Sequence, residues 1–309
     1  GRLGQPRAEL LGLSQEARLQ LRIGEDLCLL KGGVLAAHRV VSGSPTALPG
    51  PGSEGDLAAV PDLLGWMSEK LAIIENGLDT AVWNPVTDVH LRNHFDPVDP
   101  SGKNQCKVAL QHALGLPVRH DIPLLLHPGE PSTDAGGELI ARWAARLLTN
   151  NLQLLVCRKD AAAPVELQEL AQNFPERFKL LVSQDGAALH RALAASDLLL
   201  LSPAFDAYGT WQMCAHRYGS LPVGRALGSV ADTVADCDSS LTTGSGFLFE
   251  GEELHEMVAA ARRAVAAFHR RKAFERLRRK VMRIDHSWER SARRYQHLYQ
   301  ALTGKARPA

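Results

Sequence analysis

The chain has 309 residues, enough to bury the core of one large or two modest domains. A hydrophobic share of 45%, a charged share of 22% and a net charge of +1 are ordinary for a globular protein, and give no bulk attraction to nucleic acid or to a membrane surface. No apolar run approaches the ~20 residues of a membrane-spanning helix, and five dispersed cysteines without a CxxC pair predict reduced thiols in an intracellular protein rather than a metal site.

The chain begins with Gly1 rather than Met, its first residues match no signal-peptide pattern, and it is expected to be a fragment of a longer protein. Its first seventy residues are interrupted. Leu27–Val41 reads as a helix followed by a strand, and Ser42–Gly55, rich in Gly, Pro and Ser, reads as a loop. This is too little for a complete α/β domain. From Leu71 onward short apolar runs alternate with amphipathic stretches. Strands are predicted at Leu71–Ile74, Ile122–Leu126, Leu152–Val156, Phe178–Val182, Leu198–Leu201 and Pro222–Val223. Helices are predicted near Lys103–Leu114, Gly137–Thr149, Val165–Asn173, Ala187–Ala195 and Trp211–Tyr218. Continuous apolar strands separated by helices predict an α/β fold with a Rossmann-like, doubly wound parallel sheet, whose ligands sit at the carboxyl ends of the strands.

From Glu252 helices dominate and basic residues crowd in, among them Arg262, Arg263, Arg270, Arg271, Lys272, Arg276, Arg278, Arg279, Lys280 and Arg283. Two accounts fit. One is a contact with a polyanion or phosphorylated glucan; the other is a solvated face, with Val258, Ala261, Val265 and Phe268 turned inward at helical spacing. No internal repeat is visible.

Three segments carry more information. They are Asn76-Gly-Leu-Asp-Thr-Ala-Val-Trp-Asn-Pro-Val-Thr-Asp88, then Tyr218-Gly-Ser-Leu-Pro-Val223 followed by Gly228-Ser-Val-Ala-Asp-Thr-Val234, and finally Ser287-Trp-Glu-Arg-Ser-Ala-Arg-Arg-Tyr-Gln-His-Leu-Tyr299. In this order they resemble the ADP-glucose-dependent glycogen and starch synthases. Shorter matches agree: Leu29-Leu30-Lys31-Gly32-Gly33, Gly102-Lys103 ahead of Gly115-Leu116-Pro117, and Gly244–Phe249.

The resemblance implies a GT-B glycosyltransferase, with two Rossmann-like domains across a cleft. Residues 1–74 would be a remnant of the N-terminal domain, 75–286 the C-terminal nucleotide-sugar domain, and 287–309 a helix crossing back, with its tail. It further implies transfer of glucose from ADP-glucose to an α-1,4-glucan with retention. No cofactor, nucleic acid or membrane is implied, and the setting is cytoplasm, or a plastid in a plant or alga. The family's lysine- and glycine-rich donor motif is absent.

With no metal, the charge growing on the leaving diphosphate must be met by fixed cations and oriented amides. The resemblance places an Arg and a Lys in the loop His127-Pro-Gly-Glu-Pro-Ser-Thr-Asp-Ala-Gly-Gly137. Here those positions fall on Glu130 and Ala135, and no Arg or Lys lies between Ile122 and Ile140. Gly129 of that loop is a candidate donor contact. In Ser202-Pro-Ala-Phe-Asp-Ala-Tyr-Gly-Thr-Trp-Gln212 the catalytic Glu position holds Asp206, a carboxylate shorter by one methylene; its plainer reading is a helix cap. Tyr208, Gly209 and Thr210 are candidate substrate contacts at the start of the following helix. Cys157-Arg-Lys-Asp-Ala161 lacks the glycines of the family's turn, leaving Arg158 and Lys159 as substitute phosphate contacts or as plain surface charges. In Gly228-Ser229 the serine replaces a second glycine and is expected to cost freedom for a left-handed turn. His127, at a strand end, is either cleft-facing or incidental; His190, His216 and His255 receive no role. Trp83, Trp211 and Trp288 are expected to anchor packing. The chain is therefore either a weakened glucosyltransferase or a non-catalytic homologue that binds glucan or protein.

Overall fold

The computed structural model describes residues 2–3, 12–23, 25–44, 69–129, 134–158, 163–182, 185–201, 209–251 and 253–304. The chain divides into two compact units, Gly1–Glu75 with Ser291–Ala309, and Asn76–Arg290.

In the first unit β1 (Arg2–Leu3) and β2 (Arg22–Ile23) flank β3 (Asp26–Cys28), both antiparallel to it, and α1 (Gln15–Leu21) precedes β2. After β3 come α2 (Leu29–Ala36) and β4 (Val40–Ser42), and β4 pairs in parallel with β5 (Leu71–Ile73), Val41 opposite Ala72. The helix followed by a strand is as the sequence suggests. The antiparallel trio is not foreseen, because strands of two or three residues are too short to show a period of two.

The second unit holds the main sheet. Its elements are α3 (Ser101–Ala113), β6 (Leu124–His127), α4 (Asp134–Leu147), β7 (Gln153–Arg158), α5 (Val165–Asn173), β8 (Phe178–Val182), α6 (Gly186–Ala195), β9 (Leu198–Leu200), α7 (Trp211–Arg217), β10 (Leu221–Arg225), α8 (Gly228–Thr233), β11 (Phe247–Phe249), α9 (Leu254–His269) and α10 (Arg271–Val281). The six strands are all parallel, in the order β11-β10-β9-β6-β7-β8. The chain winds outward from β6 to β8, returns to β9 beside β6, and winds outward again. The α/β doubly wound fold inferred from the apolar runs is therefore present, with its topological switch point between β6 and β9. The last helix, α11 (Trp288–Thr303), joins the first unit from Ser291 onward, where the Ser291 hydroxyl donates to the Glu75 carbonyl at 2.6 Å and Arg294 lies 3.8 Å from the Glu75 carboxylate.

Both faces of the sheet are covered, and this is why its strands read as unbroken apolar runs. Leu125, Leu154, Val156, Leu198 and Val223 face α4 and α9, where Trp143, Leu147, Met257, Ala261 and Phe268 are buried. Leu124, Leu126, Leu155 and Leu199 face the other side, against Leu110, Leu193, Met213 and Tyr218. In α9 Val258, Ala261 and Phe268 are buried and Val265 packs on the same cluster, as its helical spacing predicts. All five cysteines are buried and free.

The sheet is tied at the amino ends of its strands by a buried ionic cluster. Asp197, just ahead of β9, pairs with Lys107 of α3 at 2.7 Å and with Arg278 of α10 at 2.7 Å, and accepts the Leu124 amide at 3.0 Å. Burial alone would raise this carboxyl; Lys107 and Arg278 outweigh it and hold Asp197 below the usual carboxylate range. Lys107 also donates to the Ile122 carbonyl and Arg278 to the Gly219 carbonyl. Removing the carboxylate strands two buried cations. Asp197→Ala is expected to cost about 3–5 kcal/mol of unfolding free energy, read as a lower urea midpoint at an unchanged slope; a loss below about 1 kcal/mol would mean the cluster does not hold the sheet to α3 and α10.

Candidate functional site

Parallel doubly wound sheets open a crevice at the carboxyl ends of their strands, beside the switch point. At that edge β6 ends in His127, followed by Pro128 and Gly129. Gly129 has φ +95°, and a Cβ there would meet the Cys157 carbonyl oxygen at 2.5 Å. Only glycine fits, because the β6 loop passes directly over the end of β7. Arg158, half-buried, is the last residue of β7 and adjoins that contact. His127 is fully buried and its Nδ1 lies 3.0 Å from the Leu200 carbonyl of β9. Burial, opposed by that carbonyl and reinforced by the Arg158 charge, pushes the imidazole down to about 4, so it is neutral near pH 7. The structure thus brings Gly129, Arg158 and His127 together.

Across the switch point Gly209 and Thr210 lead into α7. A Cβ on Gly209 would lie 2.6 Å from both the Gln212 amide oxygen and the Ser229 hydroxyl. The buried Gln212 donates to the Gly209 carbonyl at 3.0 Å, the Ser229 hydroxyl at 3.2 Å and the Thr233 hydroxyl at 3.2 Å. One amide therefore fastens the entry of α7 to α8. The expectation for Ser229 is corrected here. The left-handed conformation is taken by Gly228, at φ +58°, and Ser229 has no positive φ, so the serine costs no turn and instead supplies a hydroxyl to Gln212. Asp206, Tyr208, Lys159 and Glu130 lie outside the described residues. Ala135 falls in the first turn of α4.

Several polar residues without an assigned role turn out to be structural. The Asp88 carboxylate accepts from the Tyr218 hydroxyl at 2.5 Å and lies 2.7 Å from His190 Nδ1, while Trp83 stacks on the His190 ring at 4.1 Å. Burial opposes ionisation of Asp88, but the Tyr218, His90 and His190 contacts hold its carboxyl below its usual value. His216 of α7 lies 2.9 Å from the Ser245 carbonyl and 3.0 Å from His286 Nε2, with the two rings stacked. The tautomers follow: His216 donates to Ser245, and His286 donates to His216. Trp83 and Trp211 pack edge to face, as anchors should. Trp288 departs from that expectation, being 45% exposed with its backbone seated against Gly77.

Comparison with known proteins decides the relationship. Over 282 residues, 90% of this chain and 58% of that protein, it is 35% identical to a glycogen synthase of Anaeromyxobacter sp. (strain Fw109-5). It is 30% identical over 284 residues to that of Bacillus cereus (strain Q1), 60% of which is covered. The catalytic domain of starch synthase IV from Arabidopsis thaliana, solved with ADP and acarbose, superposes with a TM-score of 0.80 at 30% identity, over 93% of this chain and 60% of that one.

The chain is a homologue of the glycogen and starch synthases.

It spans about three-fifths of the length of these relatives. A glycosyltransferase from Rickettsia africae, at TM-score 0.59 and 15% identity, shares the fold alone. No family model matches. The three recognition segments of this homologue are largely scaffold. Asp88 and Tyr218 meet each other, and the Leu78 amide bonds to the His286 carbonyl at 2.6 Å beside the Leu78–Ser287 bridge. No Cys/His/Asp/Glu cluster fit for a metal occurs among the described residues, and no described helix is long and apolar enough to cross a membrane.

The buried histidines set an acid limit. Burial lowers His127 and His286 to about 4 and His216 to about 3, the last helped by His286. An unfolded chain protonates its histidines below about pH 6.5, whereas these three stay neutral in the fold. The unfolded state therefore binds more protons, and stability falls as pH drops from about 6.5 towards 4. Thermal melts across that window should show the loss, and His286→Gln, which keeps a donor for His216 without titrating, should reduce it by about the share of one histidine of the three. A melting temperature constant from pH 7 to 5 would contradict these burial effects.

Proposed function

We propose that the chain carries the nucleotide-sugar half of a retaining glucosyltransferase that moves glucose from ADP-glucose to an α-1,4-glucan, with the donor held weakly. The observation that carries this reading is the meeting of Gly129 and Arg158 at the ends of β6 and β7, across the switch point from Gly209 and Thr210. In a doubly wound sheet that is where a nucleotide diphosphate lies. Homology to the glycogen synthases supports the reaction class, and the starch synthase solved with ADP and acarbose supports a nucleotide and a glucan as ligands.

In this reading the backbone at Gly129 approaches the diphosphate closely because no side chain stands in the way. Arg158 and Lys159 are the candidate sources of positive charge, and Gly209 and Thr210, with Tyr208 preceding them in sequence, are the candidate contacts across the switch point. Asp206 is the donor-site carboxylate, set back by one methylene from a Glu. His127 stays neutral and fixes the floor between β6 and β9. Transfer with retention passes through an oxocarbenium-like state while the diphosphate leaves with growing negative charge. The loop between Ile122 and Ile140 brings no Arg or Lys to meet that charge, and Glu130 adds one of the wrong sign. Losing a single fixed donor of this kind costs about a hundredfold to a thousandfold in rate. Turnover by this chain is accordingly weak or absent. The same replacements favour a second reading, a non-catalytic homologue whose retained surface binds glucan or a partner enzyme.

Calorimetric titration with ADP and ADP-glucose separates the two. Micromolar binding, weakened about tenfold in Arg158→Gln by loss of a charge-assisted contact, would support a working donor site. No heat at about millimolar nucleotide, with retained binding of a malto-oligosaccharide, would support the non-catalytic reading and sink the first.

A further inference from the structure

The second unit contains a pocket that the donor site does not use. It has a volume of about 420 Å³, an apolar side formed by Leu78, Pro97 and Met282, and a basic side formed by Arg217 and Arg283, with neutral His286 beside them. The first and third recognition segments line it, with Leu78 and Ser287, and the second begins just beyond Arg217.

Arg217 stands at the carboxyl end of α7, whose amino end carries Gly209 and Thr210. Seven helical residues separate the two ends by about 10 Å, so the pocket is distinct from the donor edge. The Arg217 guanidinium is held by one hydrogen bond, Nη2 to the Asn84 side-chain oxygen at 2.8 Å. Its Nε–H is buried and has no hydrogen-bond partner among the described residues. A buried donor left unmade bears its full desolvation penalty, and such a group calls for an explanation.

The charge balance sharpens this. Among the described residues neither Arg217 nor Arg283 has a carboxylate at ion-pair distance, although Arg263 and Arg278 are paired with Asp236 and Asp197. Asp285, the acidic residue on the pocket lining, already has a partner of its own. Residues 262–283 hold ten Arg or Lys and one acid, Glu275. Many of these cations rest on carbonyls rather than carboxylates: Arg270 on Ser240, Lys280 on Thr242 and Gly244, Arg279 on Val98 beside the pocket's Pro97. Arg279 also faces Asp99, so the positive charge on the lining itself is that of Arg217 and Arg283, beside Asp285.

We propose that this pocket binds a phosphate-bearing small molecule. A phosphate offers three strong acceptor oxygens and up to two charges, enough to engage Arg217 and Arg283 together, whereas a carboxylate satisfies one fork. The volume exceeds that of inorganic phosphate, leaving room for the organic body of an ester against Leu78, Pro97 and Met282.

The test is calorimetric titration of the whole chain at low salt with inorganic phosphate, with phenyl phosphate, and with phenol as the phosphate-free control. One-to-one binding of phosphate compounds and none of phenol is expected. Tighter binding of phenyl phosphate identifies an ester as the ligand class, and equal binding identifies free phosphate. Arg217→Gln and Arg283→Gln should each weaken it about tenfold. Arg283 is exposed, so its variant keeps the fold even if Arg217→Gln does not. Arg146→Gln, an exposed residue in the last turn of α4 outside both sites, should leave phosphate binding unchanged. No saturable binding by about 10 mM, or binding lost in Arg158→Gln but kept in Arg283→Gln, would overturn the proposal.

Discussion

A carboxylate withdrawn from water must be repaid by its neighbours, and Asp197 is repaid by Lys107, Arg278 and the Leu124 amide. This single group joins α3, the first strand of the main sheet, the strand across the switch point and α10. Lys103 adds a third buried amine or guanidinium, donating to the Tyr218 and Ala194 carbonyls and pushed down to about 7 by burial and by Arg278. The amino ends of the central strands are thereby clamped. Among the described residues no comparable ionic cluster ties their carboxyl ends.

That division explains why scaffold and donor loops have different fates in this homologue. Asp88, Tyr218 and the Leu78–His286 contact hold elements far apart in sequence, and changing one would leave a buried partner unsatisfied. By contrast no described contact of this kind involves Glu130 or Ala135, the two positions where the resemblance expects cations. Gly129 is the exception at that edge. It persists for a packing reason, since the Cys157 carbonyl occupies the space of any Cβ. A retained glycine is thus weaker testimony to donor binding than a retained cation would be.

Ser229 and His216 teach the same lesson about local rules. Replacing a glycine by serine reads as a loss when only turn freedom is considered, yet the neighbouring Gly228 holds the left-handed position and the hydroxyl is absorbed by Gln212. His216 and His286, 70 residues apart, stack and share a proton-donating chain ending on Ser245. Nothing in the spacing of either histidine announces the other.

The parallel α/β sheet, five of its six strands to within a few residues, and the kinship with glycogen and starch synthases were legible in sequence; the edge strand Phe247–Phe249 was not, and Leu71–Ile73, read as part of the same run of strands, pairs with Val40–Ser42 in the first unit. Strands buried on both faces must be apolar throughout, and motifs that hold a fold together tolerate little change. The absence of cations between Ile122 and Ile140 was equally legible, since it needs no geometry. Tertiary structure alone decided which polar residues meet. Asp197 with Lys107 and Arg278, Asp88 with His190, and Arg217 with its unmet Nε are pairings or vacancies set by how helices cross a sheet. Sequence records a residue's type and its neighbours within a few turns; burial and long-range partners exist only once the chain has closed on itself.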